Sequence, residues 1–270
     1  GGVELAVLVV AADEGFMPQT VEHLDILTLL GIRDGVVVIT KIDMVDEEWV
    51  EIVREDIAAH VKGTFLEGKP VLPVSAYTGQ GIPELKKELQ QRVSRVAVRN
   101  EQIPFRLPVD RVFSKDGFGT VVTGTVVSGR VALGDQVRLS PSGLAARVRG
   151  IHAQNRKADQ GLAGQRCALN LAGDAITREA ISRGDVALDA ALHAPSQRID
   201  VSLHVLGSEA KALTTWFPAR LHIGAAEVGA RIVPLEGPLA PGTTGLAQIV
   251  LDAPVAVAMG DRFILRDVSA

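Results

Sequence analysis

Between Leu5 and Val96 two hydrophobic patterns alternate. Leu5 to Ala12, Gly35 to Ile39 and Val71 to Val74 are short, valine-rich and apolar throughout, as strands covered on both faces should be. Between them the apolar positions recur at helical spacing. Leu24, Leu27 and Leu30 line one stripe from Thr20 to Leu30. Asp46 stands as an N-cap before a segment in which Trp49, Val53 and Ile57 repeat every four residues, and Leu85, Leu89 and Val93 form a third stripe after Gly81-Ile82-Pro83. Strand and helix in this alternation predict a parallel α/β sheet, with functional loops at the C-terminal ends of its strands.

The helical period stops near Arg99. Val109 to Phe113, Thr120 to Val127, Gln136 to Leu139, Ala145 to Ile151 and Cys167 to Leu171 read as strands between turns rich in Gly, Asp and Ser. Pro195 marks a second break. Beyond it Ile199 to Val205, Ala219 to Ile223, Gly229 to Val233, Gly245 to Leu251 and Phe263 to Leu265 repeat the strand pattern. The expected organisation is multidomain: an α/β module over residues 1–98, then two small antiparallel β-barrels over 99–193 and 194–270.

Composition narrows this picture. At 270 residues and 47% hydrophobic, the chain carries enough apolar surface for several cores. Net charge is −4 overall, but it divides unevenly: −7 over residues 1–98, +4 over 99–193 and −1 over 194–270. Only the middle module offers a local positive field to an anionic partner. One cysteine, Cys167, rules out a disulfide scaffold and a cysteine-based metal cluster. No apolar run reaches membrane-spanning length and no signal-peptide pattern opens the chain, so a cytoplasmic protein is expected.

Chemistry concentrates at strand ends. Thr40-Lys41-Ile42-Asp43 directly follows Gly35 to Ile39. A carboxylate there can accept from the N1–H and exocyclic amine of guanine and reject adenine, whose N1 carries no proton; the Lys41 stem can lie along the base. Ser75-Ala76 follows the next strand, and a turn of small residues lets backbone N–H groups approach the guanine carbonyl. Two such loops at successive strand ends point to guanine-nucleotide recognition. No GxxxxGK[ST] phosphate loop occurs in the chain and no Asp-x-x-Gly segment precedes its first strand, so no residue here is assigned to catalysis or to a metal. A fragment without the hydrolytic elements is expected. Asp13 and Glu14, in the loop after the first strand, have the look of a metal pair, but Pro18 favours reading that loop as the approach to a helix. His23 lacks a sequence-visible acid or nucleophile partner and reads as a surface or structural residue. In the middle module Ser114 to Gly124 reads as a hairpin with Gly117 and Gly119 at its turn. Asp110, Arg111 and Arg166 there are the candidates for holding an anionic group.

Taken together these motifs resemble the Tu-like translational GTPases, and within them the selenocysteine-specific elongation-factor branch, over essentially the whole chain. Ala11 to Thr20 with Glu22-His23-Leu24 is similar to the segment that follows the family's Asp-x-Pro-Gly-His motif. Phe118 to Gly124 resembles the hallmark of the second domain. Thr40 stands where most GTPases have Asn, a departure that the selenocysteine branch shares. The resemblance implies an α/β P-loop GTPase-type sheet, here partial, followed by two antiparallel β-barrels, the second lacking its last strand. It implies GTP or GDP at Thr40, Lys41, Asp43, Ser75 and Ala76, with Mg²⁺ ligands upstream of this chain. It also implies a selenocysteinyl-tRNA end at Asp110, Arg111 and Arg166, where arginines would favour a selenolate over a serine hydroxyl. The ribosome, and a selenoprotein mRNA hairpin held by a C-terminal region outside this chain, are the further partners implied; a monomer with no membrane is expected. Other readings stay open: a general or initiator-tRNA carrier, a GTPase subunit that assists sulfate activation, or a GTPase-like scaffold that does not hydrolyse nucleotide.

Overall fold

The computed structural model describes residues 3–96, 101–115 and 119–268. Two compact units divide the chain, Val3–Val98 and Arg99–Ala270.

In the first unit, strands β1 (Ala6–Ala11), β2 (Gly35–Thr40) and β3 (Val71–Pro73) form a parallel sheet in that order, with Leu8 opposite Val37 and Ile39 opposite Pro73. Helices α1 (Pro18–Leu29), α2 (Glu47–His60) and α3 (Ile82–Val93) intervene or follow as the periodicity predicts. Pro18 opens α1 at a position where its missing N–H costs nothing. The Asp46 carboxylate caps α2 by accepting from Trp49 N–H at 2.8 Å. One sheet face packs Leu8, Val10, Val37 and Ile39 against Leu24 of α1 and Val50, Val53 and Ile57 of α2. Val36, Val38 and Val74 meet Leu85 and Leu89 of α3 on the other face.

Three expectations change here. β2 is buried on both faces, but Val7 and Val9 of β1 are 42% and 54% exposed, because α3 covers the second face only at β2 and β3. Trp49 sits on the flank of α2 and leaves the buried stripe to Val50, Val53 and Ile57. Val93 likewise faces solvent at the end of α3.

The second unit begins with strands β4 (Arg106–Lys115), β5 (Gly119–Thr125), β6 (Arg130–Ala132), β7 (Gln136–Ser140), β8 (Ala145–Ala153), β9 (Arg156–Ala158), β10 (Gln160–Leu162), β11 (Arg166–Ala172) and β12 (Val186–Leu188). The order β11-β5-β4-β12-β7-β8 closes because β11 also pairs with β8. Closure removes the sheet edges and encloses a core that includes Leu107, Leu139, Ile151, Cys167 and Leu169. The middle of the Ser114 to Gly124 hairpin, residues 116–118, lies outside the described residues, as does part of the boundary near Arg99.

Strands β13 (Ser196–His204), β14 (Phe217–Ile223), β15 (Ala226–Pro234), β16 (Thr244–Val255) and β17 (Phe263–Asp267) build an antiparallel sheet in the order β13-β16-β15-β14-β17. It curls around Leu203, Leu221, Ile232 and Ile249. Among the described residues its outer strands β13 and β17 do not pair, so this module is a curled half-barrel, where a barrel short of its last strand was expected. The barrel and half-barrel share one compact unit, and Arg106 reaches across to Asp261 through two bonds of 2.8 and 2.5 Å.

Candidate functional site

The parallel register places the two loops singled out above side by side. The β2–β3 ladder runs one step past its last paired residues, with Val74 N–H donating to Ile39 C=O at 2.7 Å and Ile42 N–H reaching Val74 C=O at 3.5 Å. Thr40 is half-buried and its hydroxyl donates to Val10 C=O at 3.4 Å, tying the loop back to β1. Lys41 then takes a left-handed conformation, φ 59° and ψ 32°, which turns the chain into a 3-10 turn over Ile42–Met44. Asp43 lies in that turn with an exposed side chain.

Ser75 is fully buried. Its hydroxyl accepts from Thr78 N–H at 3.1 Å, and its own N–H donates to Gln80 C=O at 2.9 Å, so the serine fixes the turn and leaves Ala76 exposed. A Cβ on Gly81 would lie 2.1 Å from Pro73 C=O, and the residue sits at φ +72°, so only glycine lets the chain leave this turn into α3. The same turn presents the large ring of Tyr77 at 91% exposure, a placement that no local sequence pattern signals. An acceptor-only carboxylate, a lysine stem and a turn of small residues on adjacent strand ends fit a guanine base.

Lys41 carries a feature the sequence did not announce. Its ammonium donates to Asp13 Oδ2 and Oδ1 at 2.9 and 3.1 Å and to Glu14 Oε1 at 3.3 Å. The hydrogen bonds to Asp13 and then Glu14 raise the Lys41 pKa above its ordinary value, against a smaller opposing effect of desolvation. The carboxylates read as a possible metal pair therefore face a lysine, and no cluster of three or more candidate metal ligands occurs among the described residues. His23 is exposed on α1.

In the barrel, Asp110 is the extra residue of a β-bulge. Val109 lies opposite Gly124 and Arg111 opposite Thr123, and Asp110 has no partner in the register. A bulge re-aims side chains, and here the Asp110 carboxylate accepts from Thr123 Oγ1 at 2.6 Å and from Arg166 Nη1 and Nη2 at 2.5 and 3.1 Å. Asp110 and Arg166, both named from sequence, are thus in contact, while Arg111 follows on β4 with an exposed side chain whose charge also acts on Asp110. Thr123 completes the group; its position in the Thr123-Gly124 pair was the signal available. Burial alone would push the Asp110 carboxyl up. The hydrogen bonds from Arg166 and Thr123, with the charges of Arg166 and Arg111, outweigh burial and hold it below the usual carboxylate range. Arg166 is raised in turn, chiefly by its hydrogen bond to Asp110.

A folded-state pKa below the unfolded value means that the pair stabilises fully above the ordinary carboxylate range. That contribution declines as pH falls below the ordinary value and is gone once pH has passed through the lowered one. The side-chain carboxyl signal of Asp110 should thus titrate below those of exposed aspartates in NMR, and Arg166→Gln should move its midpoint up. A midpoint that stays put in R166Q would exclude the pair from solution.

The chain matches three protein families in succession: the elongation factor Tu GTP binding domain over residues 2–95, elongation factor Tu domain 2 over 119–188, and the selenocysteine-specific elongation factor beta-barrel domain over 197–270. These matches place the chain in the Tu-like class of elongation factors. Within that class, it is 42% identical over 269 residues to the selenocysteine-specific elongation factor of Desulfomicrobium baculatum, covering 99% of this chain and 42% of the relative. The selenocysteine-specific elongation factor of Escherichia coli is 39% identical, with 100% of this chain and 42% of the relative covered. Among solved structures, a bacterial selenocysteine-specific elongation factor superposes with a TM-score of 0.87 at 30% identity, over 100% of this chain and 44% of that one. The apo form of translation elongation factor SelB from Methanococcus maripaludis gives 0.89 at 27% identity, covering 99% and 62%. The chain belongs to the selenocysteine-specific elongation factor family. It spans about two fifths of the length of those curated relatives.

Proposed function

We propose that this chain forms part of a factor that delivers selenocysteinyl-tRNA to the ribosome at recoded UGA codons in a GTP-dependent manner. Three modules divide the work: residues 1–98 read the guanine base, 99–193 receive the aminoacyl end, and 194–270 complete the β unit. Asp43 accepts from the guanine N1–H and amine, Lys41 lies along the base, Thr40 secures the loop, and Ser75 with Ala76 shapes the turn facing the guanine carbonyl. When bound, GTP supplies the charge and the cleavable phosphate that switch such a factor between grips on tRNA. The residues that hold Mg²⁺ and the phosphates lie outside this set, and none in this chain is assigned to hydrolysis.

The observation that carries the reading is the Asp110–Arg166 pair on the outside of a closed barrel, with the exposed Arg111 following Asp110 on β4. A selenol is more acidic than an alcohol and is ionised near neutral pH, so a guanidinium pair discriminates it from serine by charge as well as by shape. Asp110 keeps Arg166 oriented while leaving the guanidinium half exposed. Support also comes from relatives that bear this specificity in their names and match the chain end to end.

The test is GTP-dependent binding of selenocysteinyl-tRNA and seryl-tRNA to a protein that joins this chain to the flanking lengths its relatives carry. Replacing Arg111 and Arg166 with leucine should erode the preference for selenocysteinyl-tRNA by about tenfold or more, on the usual worth of one to two charge-assisted hydrogen bonds, and should leave GTP affinity unchanged. Equal losses for both tRNAs would assign the arginines to general tRNA binding.

A further inference from the structure

We infer that Asp13 and Glu14 are positioning residues for the guanine site: they hold the far end of Lys41 so that its stem is laid out before the base arrives. The inference rests on the guanine reading above and adds to it residues from a different loop.

The geometry is built from both sides. Ala12 N–H donates to Thr40 C=O at 2.8 Å, which carries the β1–β2 ladder one step beyond Ala11 opposite Thr40. Asp13 and Lys41 therefore leave adjacent strand ends together. The loop bearing the carboxylates is itself held, since Glu14 and Gly15 N–H groups both donate to Ala11 C=O at 3.2 and 2.9 Å. The indole of Trp49 on α2 donates to Ala12 C=O at 2.9 Å. Asp46 fixes the first turn of α2 by capping Trp49 N–H. Three carboxylate oxygens on a braced loop thus surround an ammonium that is anchored at its other end by a left-handed backbone.

A lysine side chain loses much rotamer freedom when it is immobilised. If the stem is ordered before the nucleotide binds, that loss no longer counts against affinity. The alternative role, holding the fold, is a poor fit: the pair is exposed, with side-chain exposures of 43% for Lys41 and 28% for Asp13, and exposed ion pairs contribute little to stability. The carboxylates should therefore move ligand affinity and leave melting temperature alone.

The test has two arms. In the chain itself, an NMR titration of the Lys41 Cε signal should give a midpoint above that of ordinary lysines, and the double variant D13N/E14Q should bring it down. In the protein joined to its relatives' flanking lengths, D13N/E14Q should weaken GDP binding about threefold to tenfold, within the range expected for ordering one long side chain. Thermal melting should not change. Adding Lys41→Met to the double variant should cost no more than Lys41→Met alone, because the carboxylates act through that lysine. An unchanged Lys41 midpoint, GDP affinity unaffected by D13N/E14Q, or additive losses in the triple variant would each overturn the inference. If the unsubstituted protein bound ADP as tightly as GDP, the guanine reading itself would fall. A preference for GDP that D13N/E14Q leaves untouched would remove the positioning role only.

Discussion

Replacing Asp43 with asparagine should weaken GDP binding by about a hundredfold or more and turn the preference toward xanthosine diphosphate, when measured in the protein that joins this chain to its relatives' flanking lengths. Guanine offers two donors on one edge, and a carboxylate accepts both. The carboxamide keeps one acceptor and sets an N–H₂ against the guanine amine, so one bond is lost and a repulsion replaces it. Hydrogen bonds to a charged group are worth about 1.5–3 kcal/mol each, which puts the loss at two orders of magnitude or beyond. Xanthine carries a carbonyl where guanine carries the amine, and that carbonyl accepts from the new N–H₂. Asp46→Asn is the control: it removes a charge three residues away but keeps a side chain able to cap α2. Isothermal titration with GDP, XDP and ADP separates the outcomes. Equal weakening toward GDP and XDP would place Asp43 away from the base edge.

The prediction depends on features that were readable at different levels. The position of Asp43 after an all-buried strand was legible because Gly35 to Ile39 are apolar at every position, as strands covered on both faces are. The N-cap at Asp46 and the start of α3 at Ile82-Pro83 were legible for the same local reason. The exposed face of β1 was not, because its composition matches that of β2 and only the placement of α3 separates them.

Long-range pairing was the other gap. Period-two patterns mark strands in both β modules. Closure, however, depends on whether one strand finds partners on both sides: β11 does so with β5 and β8, whereas β13 and β17 stay unpaired with each other among the described residues. In the barrel site Asp110, Arg111 and Arg166 were named from local resemblance, and the bulge in β4 is what brings Asp110 to Arg166. The Lys41 ion pairs were invisible for a different reason. Asp13 and Lys41 are 28 residues apart, and their contact follows from strand register, which no motif encodes.

The tight approach of β4 to β5 beside the bulge that aims Asp110 makes Gly124 a sensitive position of the barrel. A Cβ on Gly124 would lie 2.1 Å from Pro108 C=O and 2.7 Å from Leu107 Cδ2, far inside van der Waals contact. The carbonyl belongs to β4 just before the bulge, so relief requires β4 to move away from β5 and the register around Asp110 to change. A clash with backbone in a closed barrel has no flexible side chain to absorb it. Gly124→Ala should then destabilise the β unit by about 3 kcal/mol or more, beyond the common range for overpacking. That corresponds to a fall in melting temperature of roughly 6–12 °C for a unit of this size. Gly150→Ala is the matched control, because its nearest neighbour is Asn170 Cβ at 3.6 Å, an ordinary contact. The two glycines also differ in what they report. If the bulge is what brings Asp110 to Arg166, G124A should raise the Asp110 midpoint toward the ordinary carboxylate value, even at temperatures where the barrel remains folded, and G150A should not. A G124A barrel that kept both its stability and the lowered Asp110 midpoint would mean that β4 can shift without disturbing the pair, and that the bulge does not aim the carboxylate.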